Sequence, residues 1–132
     1  MAGESVVAAA VVQHTGEVLL IRRRVPEADL VWQFPAGKVE PGEAVLVAAA
    51  REALEEAGVT VEPLRVIGER VHPVSGRRIV YVVCRWLSGE PAAASPREVA
   101  EAAWVSLDEL AVRIPGGVYP PVCQYIAGPA LP

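Results

Sequence analysis

Between Glu40 and Glu56 the chain sets five glutamates, Glu40, Glu43, Glu52, Glu55 and Glu56, against one base, Arg51; this stretch matches the whole formal net charge of -4. On a helix of 3.6 residues per turn, Glu52, Glu55 and Glu56 share an arc of about 100°. Like charges at these spacings repel by roughly a few tenths of a kcal/mol per pair, a cost that a purely structural helix has no need to carry. Carboxylate oxygens suit hard divalent ions, and Mg²⁺ in particular is held by a few carboxylates together with waters and substrate phosphates. The bland alternative is a solvated Glu-rich helix face. The same wheel puts Leu46, Ala50, Ala53, Leu54 and Ala57 opposite, so the sequence predicts that stripe buried and the carboxylates pointing away from the core.

The remaining charge narrows the partners. Outside the acidic stretch the chain is balanced, which disfavours a basic groove for a nucleic-acid polymer. Arginine supplies all the bases except Lys38, which sits beside Gly37 at the edge of the acidic stretch. A length of 132 residues with 52% apolar and 21% charged residues suits one globular domain, 1–132. The longest apolar runs, such as 5–12 and 44–50, fall short of the roughly 20 residues of a membrane helix, and the N-terminus shows no secretory pattern. No membrane partner and a cytoplasmic location are the expectations. Cys84 and Cys123 lack CxxC spacing and are read as reduced thiols.

From Gly37 the chain reads Gly37, five residues, Glu43, seven residues, then Arg51-Glu52-Ala53-Leu54-Glu55-Glu56-Ala57-Gly58-Val59. This resembles the Nudix box, GX5EX7REUXEEXGU, with U a bulky aliphatic residue, across residues 37–59. Seven fixed positions at about 7% usage each give on the order of 10⁻⁸ per starting point by chance. Ala53 departs from the pattern, since a larger aliphatic is usual there. The flanking 32–40 segment, Trp32-Gln33-Phe34-Pro35-Ala36-Gly37-Lys38-Val39-Glu40, is similar to the Phe-Pro-Gly-Gly-Lys entry of MutT-like members.

The resemblance implies an α/β fold, the Nudix-type α/β/α sandwich with a mixed β-sheet, and a Nudix pyrophosphohydrolase that uses Mg²⁺, with Mn²⁺ as the alternative. It implies that Glu52, Glu55 and Glu56 hold the ions, with Glu56 and the backbone carbonyl of Ala36 as direct ligands. A spacing match places Glu98, six residues before Trp104, near the same ions. Glu52 and Glu98 are both candidates for taking a proton from water, with a slight lean to Glu52. Arg51 is expected to orient the neighbouring carboxylates, and Glu43 to support the loop or to serve as a ligand. Arg22 and Lys38 are the candidate phosphate contacts, each against a solvated reading, and Phe34 is either a base-stacking ring or core filler. His14 and His72 fall at turns and receive no role. Arg77-Arg78 reads as a charged strand edge.

The elements that must position these residues follow from periodicity and turn chemistry. Residues 5–13 and 17–24 read as a hairpin about His14-Thr15-Gly16, and 25–31 as a surface loop. Residues 43–57, free of Gly and Pro, read as a helix that Gly58 stops. Residues 63–71 and 78–87 form a second hairpin pattern, and 88–97 reads as irregular. A strand over 102–105, a helix capped by Ser106 through Val112 and a last helix over 120–127 complete the pattern, an α/β sandwich with a mixed sheet.

A nucleotide is the expected small-molecule partner; the sequence leaves the oligomeric state open. MutT-like members convert nucleoside triphosphates to monophosphate and pyrophosphate. Matching Pro120-Pro121 to a Pro-Pro pair of those members puts Cys123 where the bacterial type has a base-reading Asn, and a thiol cannot replace an amide's paired donor and acceptor. A pyrimidine or relaxed triphosphate preference is as defensible as one for oxidised guanine. Two alternatives stay open. Pro35-Ala36-Gly37 favours an ADP-ribose or nucleoside-diphosphate-sugar pyrophosphatase, and a ligand sensor without catalysis is the third, against which the intact Glu52, Glu55 and Glu56 count.

Overall fold

The computed structural model describes residues 5–27 and 30–128. In chain order it contains β1 (Val6–His14), β2 (Glu17–Glu27), β3 (Leu30–Gln33), β4 (Ala36–Lys38), α1 (Val45–Ala57), β5 (Thr60–Val71), β6 (Arg78–Ser88), β7 (Val99–Ser106), α2 (Leu107–Arg113) and α3 (Pro120–Ala127). Among the described residues the strands form one sheet of order β3-β2-β1-β6-β5, with β4 on β1 and β7 on β2. β1 runs parallel to β6 and antiparallel to β2 and β4, so the sheet is mixed.

The continuous apolar run of β1 has a structural reason: both of its faces are covered. Ala8, Ala10 and Val12 pack with Ala48, Ala49, Ala53 and Ala57 of α1. Ala9 and Val11 pack on the other face with Leu110 of α2 and Val122 and Ile126 of α3. The result is an α/β/α sandwich. No helix among the described residues is long and apolar enough to cross a membrane.

Several boundaries move from the sequence reading. The predicted 25–31 loop is largely strand: β2 continues to Glu27 and β3 starts at Leu30, with 28–29 outside the described residues. Pro26 is tolerated there because the β2–β3 ladder is irregular between Arg22 and Glu27. β5 starts at Thr60 rather than Pro63, since a register shift at Pro63/Arg65 absorbs the missing N–H. α1 begins at Val45 instead of Glu43, and its Ala44 cap makes no side-chain hydrogen bond. Glu43 is drawn out of the helix by Arg51. Ser106 does cap α2, accepting a hydrogen bond from the Glu109 N–H at 3.3 Å.

The largest correction concerns the face of α1. Leu54, expected inside, is 53% exposed, whereas Glu52 and Glu56, expected to point outward, are 7% and 6% exposed. The small side chains explain this. Ala48, Ala49, Ala53 and Ala57 let the helix lie flat on the alanines of β1, with Leu46 and Ala50 packed beside that seam and Leu54 turned away from it. Glu52 and Glu56 ride on the flank of the seam, where polar partners meet them. Ala53→Leu should therefore overpack the seam and lower stability by about 1–3 kcal/mol. Leu54→Ala should change it by less than about 0.5 kcal/mol, as expected for a surface position. Urea unfolding of the two variants checks the orientation.

Candidate active site

The site is assembled from α1, strand β4 and the irregular segment 89–98. β4 is short, but its placement is rigid: Val7, Ala8 and Ala9 of β1 pair with Lys38, Gly37 and Ala36. Bonds from the Ala10 N–H to the Pro35 carbonyl (2.8 Å) and from the Val39 N–H to the Val6 carbonyl (2.9 Å) clamp both of its ends. Gly37 faces Glu52 so closely that a Cβ at that position would overlap the Glu52 carboxylate. Glycine is required by contact here, because only a bare backbone lets the buried carboxylate lie against β4.

Arg51 is the centre of the polar network. Its Nε and Nη2 donate to the two carboxylate oxygens of Glu43 at 2.7 and 2.9 Å. Its Nη1 donates to Glu52 at 2.8 Å and to Glu55 at 3.2 Å, and Nη2 also donates to the Lys38 carbonyl at 3.1 Å. The Glu40 N–H donates to Glu43 at 3.0 Å. One guanidinium thus ties the loop before the helix to β4 and to two acids of the helix. Hydrogen bonding from Arg51, helped by the Glu40 N–H, holds the Glu43 carboxyl down at about 2. The Arg51 guanidinium is pushed above its usual range, first by its bond to Glu43.

The two buried acids differ from Glu43. Burial raises Glu52 against the opposing bond from Arg51, and the charges of Glu55 and Glu98 raise it further. Burial pushes Glu56 up to about 8, although it accepts a 2.8 Å bond from the Ala36 N–H; Glu52 and Glu98 add to the rise. These influences bring Glu98, at the end of the irregular segment, into the electrostatic field of Glu52 and Glu56. That segment is strapped to the end of α1. The Ser95 hydroxyl donates to the Glu55 carbonyl at 2.8 Å, and the Ala94 and Ala92 N–H groups donate to Glu56 and Ala57 carbonyls. Ser95 was missed in the sequence, where it is one small residue in a Pro/Ala/Ser-rich run.

Across β4, on the sheet face away from α1, lies a cavity of about 160 Å³. Phe34 lines it and is also core, meeting Tyr81 edge-on at 6.5 Å. Ala36 and Gly37 line it too, so β4 is a thin seam between cavity and carboxylates. Among the described residues, Arg22, Lys38 and Cys123 do not line it. Arg22 pairs with Glu101 at 3.3 Å, Lys38 has an exposed side chain, and the Cys123 thiol donates to the Val118 carbonyl. The cation that does face the cavity from β2 is Arg23, one residue on, because the register shifts between Arg22 and Arg23.

Among the described residues no three His, Cys, Asp or Glu side chains are already gathered as a metal cage. The donor set nevertheless fits a hard divalent cation. Two buried carboxylates, one with its pKa near 8, lie within the field of a third, and positive charge placed there would ionise them.

Residues 2–121 match the family model of the NUDIX domain. The chain belongs to the Nudix family. It is 36% identical over 77 residues to the 8-oxo-dGDP phosphatase of Mus musculus, a match covering 58% of this chain and 24% of that protein. The chain therefore spans about a quarter of the length of the first curated relatives it matches. The crystal structure of a MutT NUDIX hydrolase from Burkholderia pseudomallei superposes with a TM-score of 0.64 at 30% identity, over 83% of this chain and 88% of that one. An ADP-ribose pyrophosphatase from Streptococcus suis gives 0.68 at 27% identity, over 82% and 78%. Nudix hydrolases generally use divalent metal ions.

The raised carboxyls set a pH dependence. With Glu56 at about 8 when folded and 4.5 as its ordinary value, the folded chain holds the extra proton between those limits. Stability from this group is full below the lower value and is lost as pH rises through the upper one. In chelator, thermal unfolding temperatures should fall from pH 5 to pH 9. Glu56→Gln should flatten that slope, and Mg²⁺ should restore stability at the alkaline end.

Proposed function

We propose that the chain hydrolyses nucleoside triphosphates to the monophosphate and pyrophosphate, with Mg²⁺ at the acidic cluster. The observation that carries this reading is the burial of Glu52 and Glu56 beside the bare backbone of Gly37. Buried carboxylates without a full complement of cationic partners are costly, and a divalent ion relieves that cost. Glu52, Glu55, Glu56 and Glu98, with the Ala36 carbonyl, are the residues that would hold the ions. When bound, the ions supply charge that offsets the phosphate oxygens and acidify water.

The chain's own groups do the rest. Glu52 or Glu98 takes the proton from the attacking water as its oxygen bonds to phosphorus, and the bridging P–O bond breaks with its electron pair leaving on the pyrophosphate. Arg51 holds Glu52 and Glu55 in place instead of touching substrate. Lys38 and Arg22 were the phosphate contacts expected from the sequence; Arg23, which lines the cavity, is the better placed cation. Phe34 offers a ring at the cavity wall. Cys123 lies outside that wall, so base choice passes to the cavity residues.

A second reading, hydrolysis of ADP-ribose or another nucleoside-diphosphate sugar, is favoured by Pro35-Ala36-Gly37 and by the likeness to the Streptococcus suis protein. Products separate the two. Pyrophosphate with a nucleoside monophosphate supports the first, and AMP with ribose 5-phosphate the second. The panel should include 8-oxo-dGDP, on which the mouse relative acts by its name. Glu55→Gln and Glu56→Gln should each cut kcat by more than about 100-fold. Turnover near the unsubstituted rate in both would overturn the assignment of the metal site.

A further inference from the structure

Among the described residues, three arginines, Arg23, Arg70 and Arg77, line the cavity on the far side of β4, against one carboxylate, Glu27. Among the described residues none of the three makes an ion pair. Elsewhere Arg22, Arg51, Arg78, Arg85 and Arg113 each pair with a glutamate, whereas Arg24, Arg65 and Arg97 make no ion pair among the described residues. Arg70 is half-buried and rests on rings: its guanidinium carbon is 5.0 Å from the centre of Tyr119 and 5.8 Å from that of Tyr81, and its Nε donates to the Tyr81 hydroxyl at 3.2 Å. Arg23 donates to the side-chain oxygen of Gln33 at 3.2 Å and to the Val25 carbonyl at 3.1 Å, both neutral acceptors. The Arg77 side chain is exposed at the rim.

His72 joins this wall as a donor. Its Nδ1 accepts the Val74 and Ser75 N–H groups at 3.1 and 3.4 Å, which leaves the proton on Nε2. Burial and the neighbouring Arg70 lower its pKa, against the opposing charge of Glu27. The lining is therefore a set of donors around aromatic walls, in which three guanidinium groups outnumber Glu27 among the described residues. Like charges drawn together without counter-ions mark a place where an anion is to bind.

At β4 the Ala36 N–H bonds Glu56 and Gly37 lies against Glu52, while the same two residues border the cavity. A ligand whose scissile phosphates lie over the glutamates would extend its nucleoside end past β4 toward the arginines. A neutral base and ribose alone would leave those guanidinium groups without charge partners. We propose that Arg70 and Arg77 bind a further phosphate on the nucleoside end, so that ribose-phosphorylated nucleotides are the preferred substrate class. This rests on the acidic cluster being the hydrolytic site.

Binding and turnover test it separately. Metal-free calorimetry compares AMP with adenosine 2′,5′-bisphosphate and adenosine 3′,5′-bisphosphate. Kinetics with Mg²⁺ compare NAD⁺ with NADP⁺, and ATP with its 3′-phosphorylated derivative. The phosphorylated member should bind at least about tenfold tighter and show a matching gain in kcat/KM. Arg70→Ala and Arg77→Ala should each erase the preference for the phosphorylated member. Arg77, exposed and without a tertiary ion pair, keeps the test decisive should the Arg70 variant fail to fold. Equal binding of AMP and both bisphosphates, or a preference that survives Arg77→Ala, overturns the proposal. Preferential bisphosphate binding without hydrolysis of any diphosphate or triphosphate would uphold the cavity and overturn the hydrolase reading instead.

Discussion

The site depends on one guanidinium held among carboxylates. Arg51 grips both oxygens of Glu43, one oxygen each of Glu52 and Glu55, and the Lys38 carbonyl. The planar fork of arginine can serve several acceptors in fixed directions at once, which a lysine ammonium cannot do. Taking Arg51 away would leave Glu52 buried with only like charges for company, a costly state. The same contacts fasten the loop that carries Gly37 and Lys38 to the helix that carries the acids. Geometry and charge balance are therefore a single interaction.

Close packing makes that interaction possible. Alanines on α1 meet alanines on β1, so helix and sheet approach closely enough for Glu52 and Glu56 to be buried beside β4. Glycine at position 37 removes the last obstruction. The arrangement stores electrostatic cost: Glu56, near 8, shares the field of Glu52 and Glu98, and its one hydrogen bond from Ala36 does not offset burial. A cation is the natural relief. The absence of a bulky aliphatic at Ala53 belongs to the same picture, since it keeps the seam thin.

β4 separates two opposite electrostatic environments. On the α1 side the acids outnumber Arg51, and on the other side Arg23, Arg70 and Arg77 outnumber Glu27 among the described residues. A polyphosphate neutralised by divalent ions at one end and bare at the other would complement both. The arginines come from β2, from the end of β5 and from the turn before β6, so the cavity wall exists only when these strands are paired.

The Nudix box and the main elements could be read in the sequence because their signals are local. Arg51, Glu52, Glu55 and Glu56 lie within two helical turns, Gly58 stops the helix in a left-handed conformation, and Ser106 caps the next one. Which side of α1 turns inward was not local. The wheel's stripe of Leu46, Ala50, Ala53, Leu54 and Ala57 turns to the core except at Leu54, and the match to the alanines of β1 rotates the helix far enough to bury Glu52 and Glu56 as well. Nor could the sequence distinguish Arg22 from Arg23, because a register shift between strands two and seven decides which of them faces the cavity. His72 and Arg77 read as turn and strand-edge residues and Arg70 as one position of the 63–71 strand; strand pairing brings all three to the cavity that Phe34 lines. The chain's own order determined the chemistry of the acids, whose spacing along a helix is set by neighbouring residues. Tertiary structure decided how deeply they are buried and which cations oppose them, because both depend on contacts between segments distant in sequence.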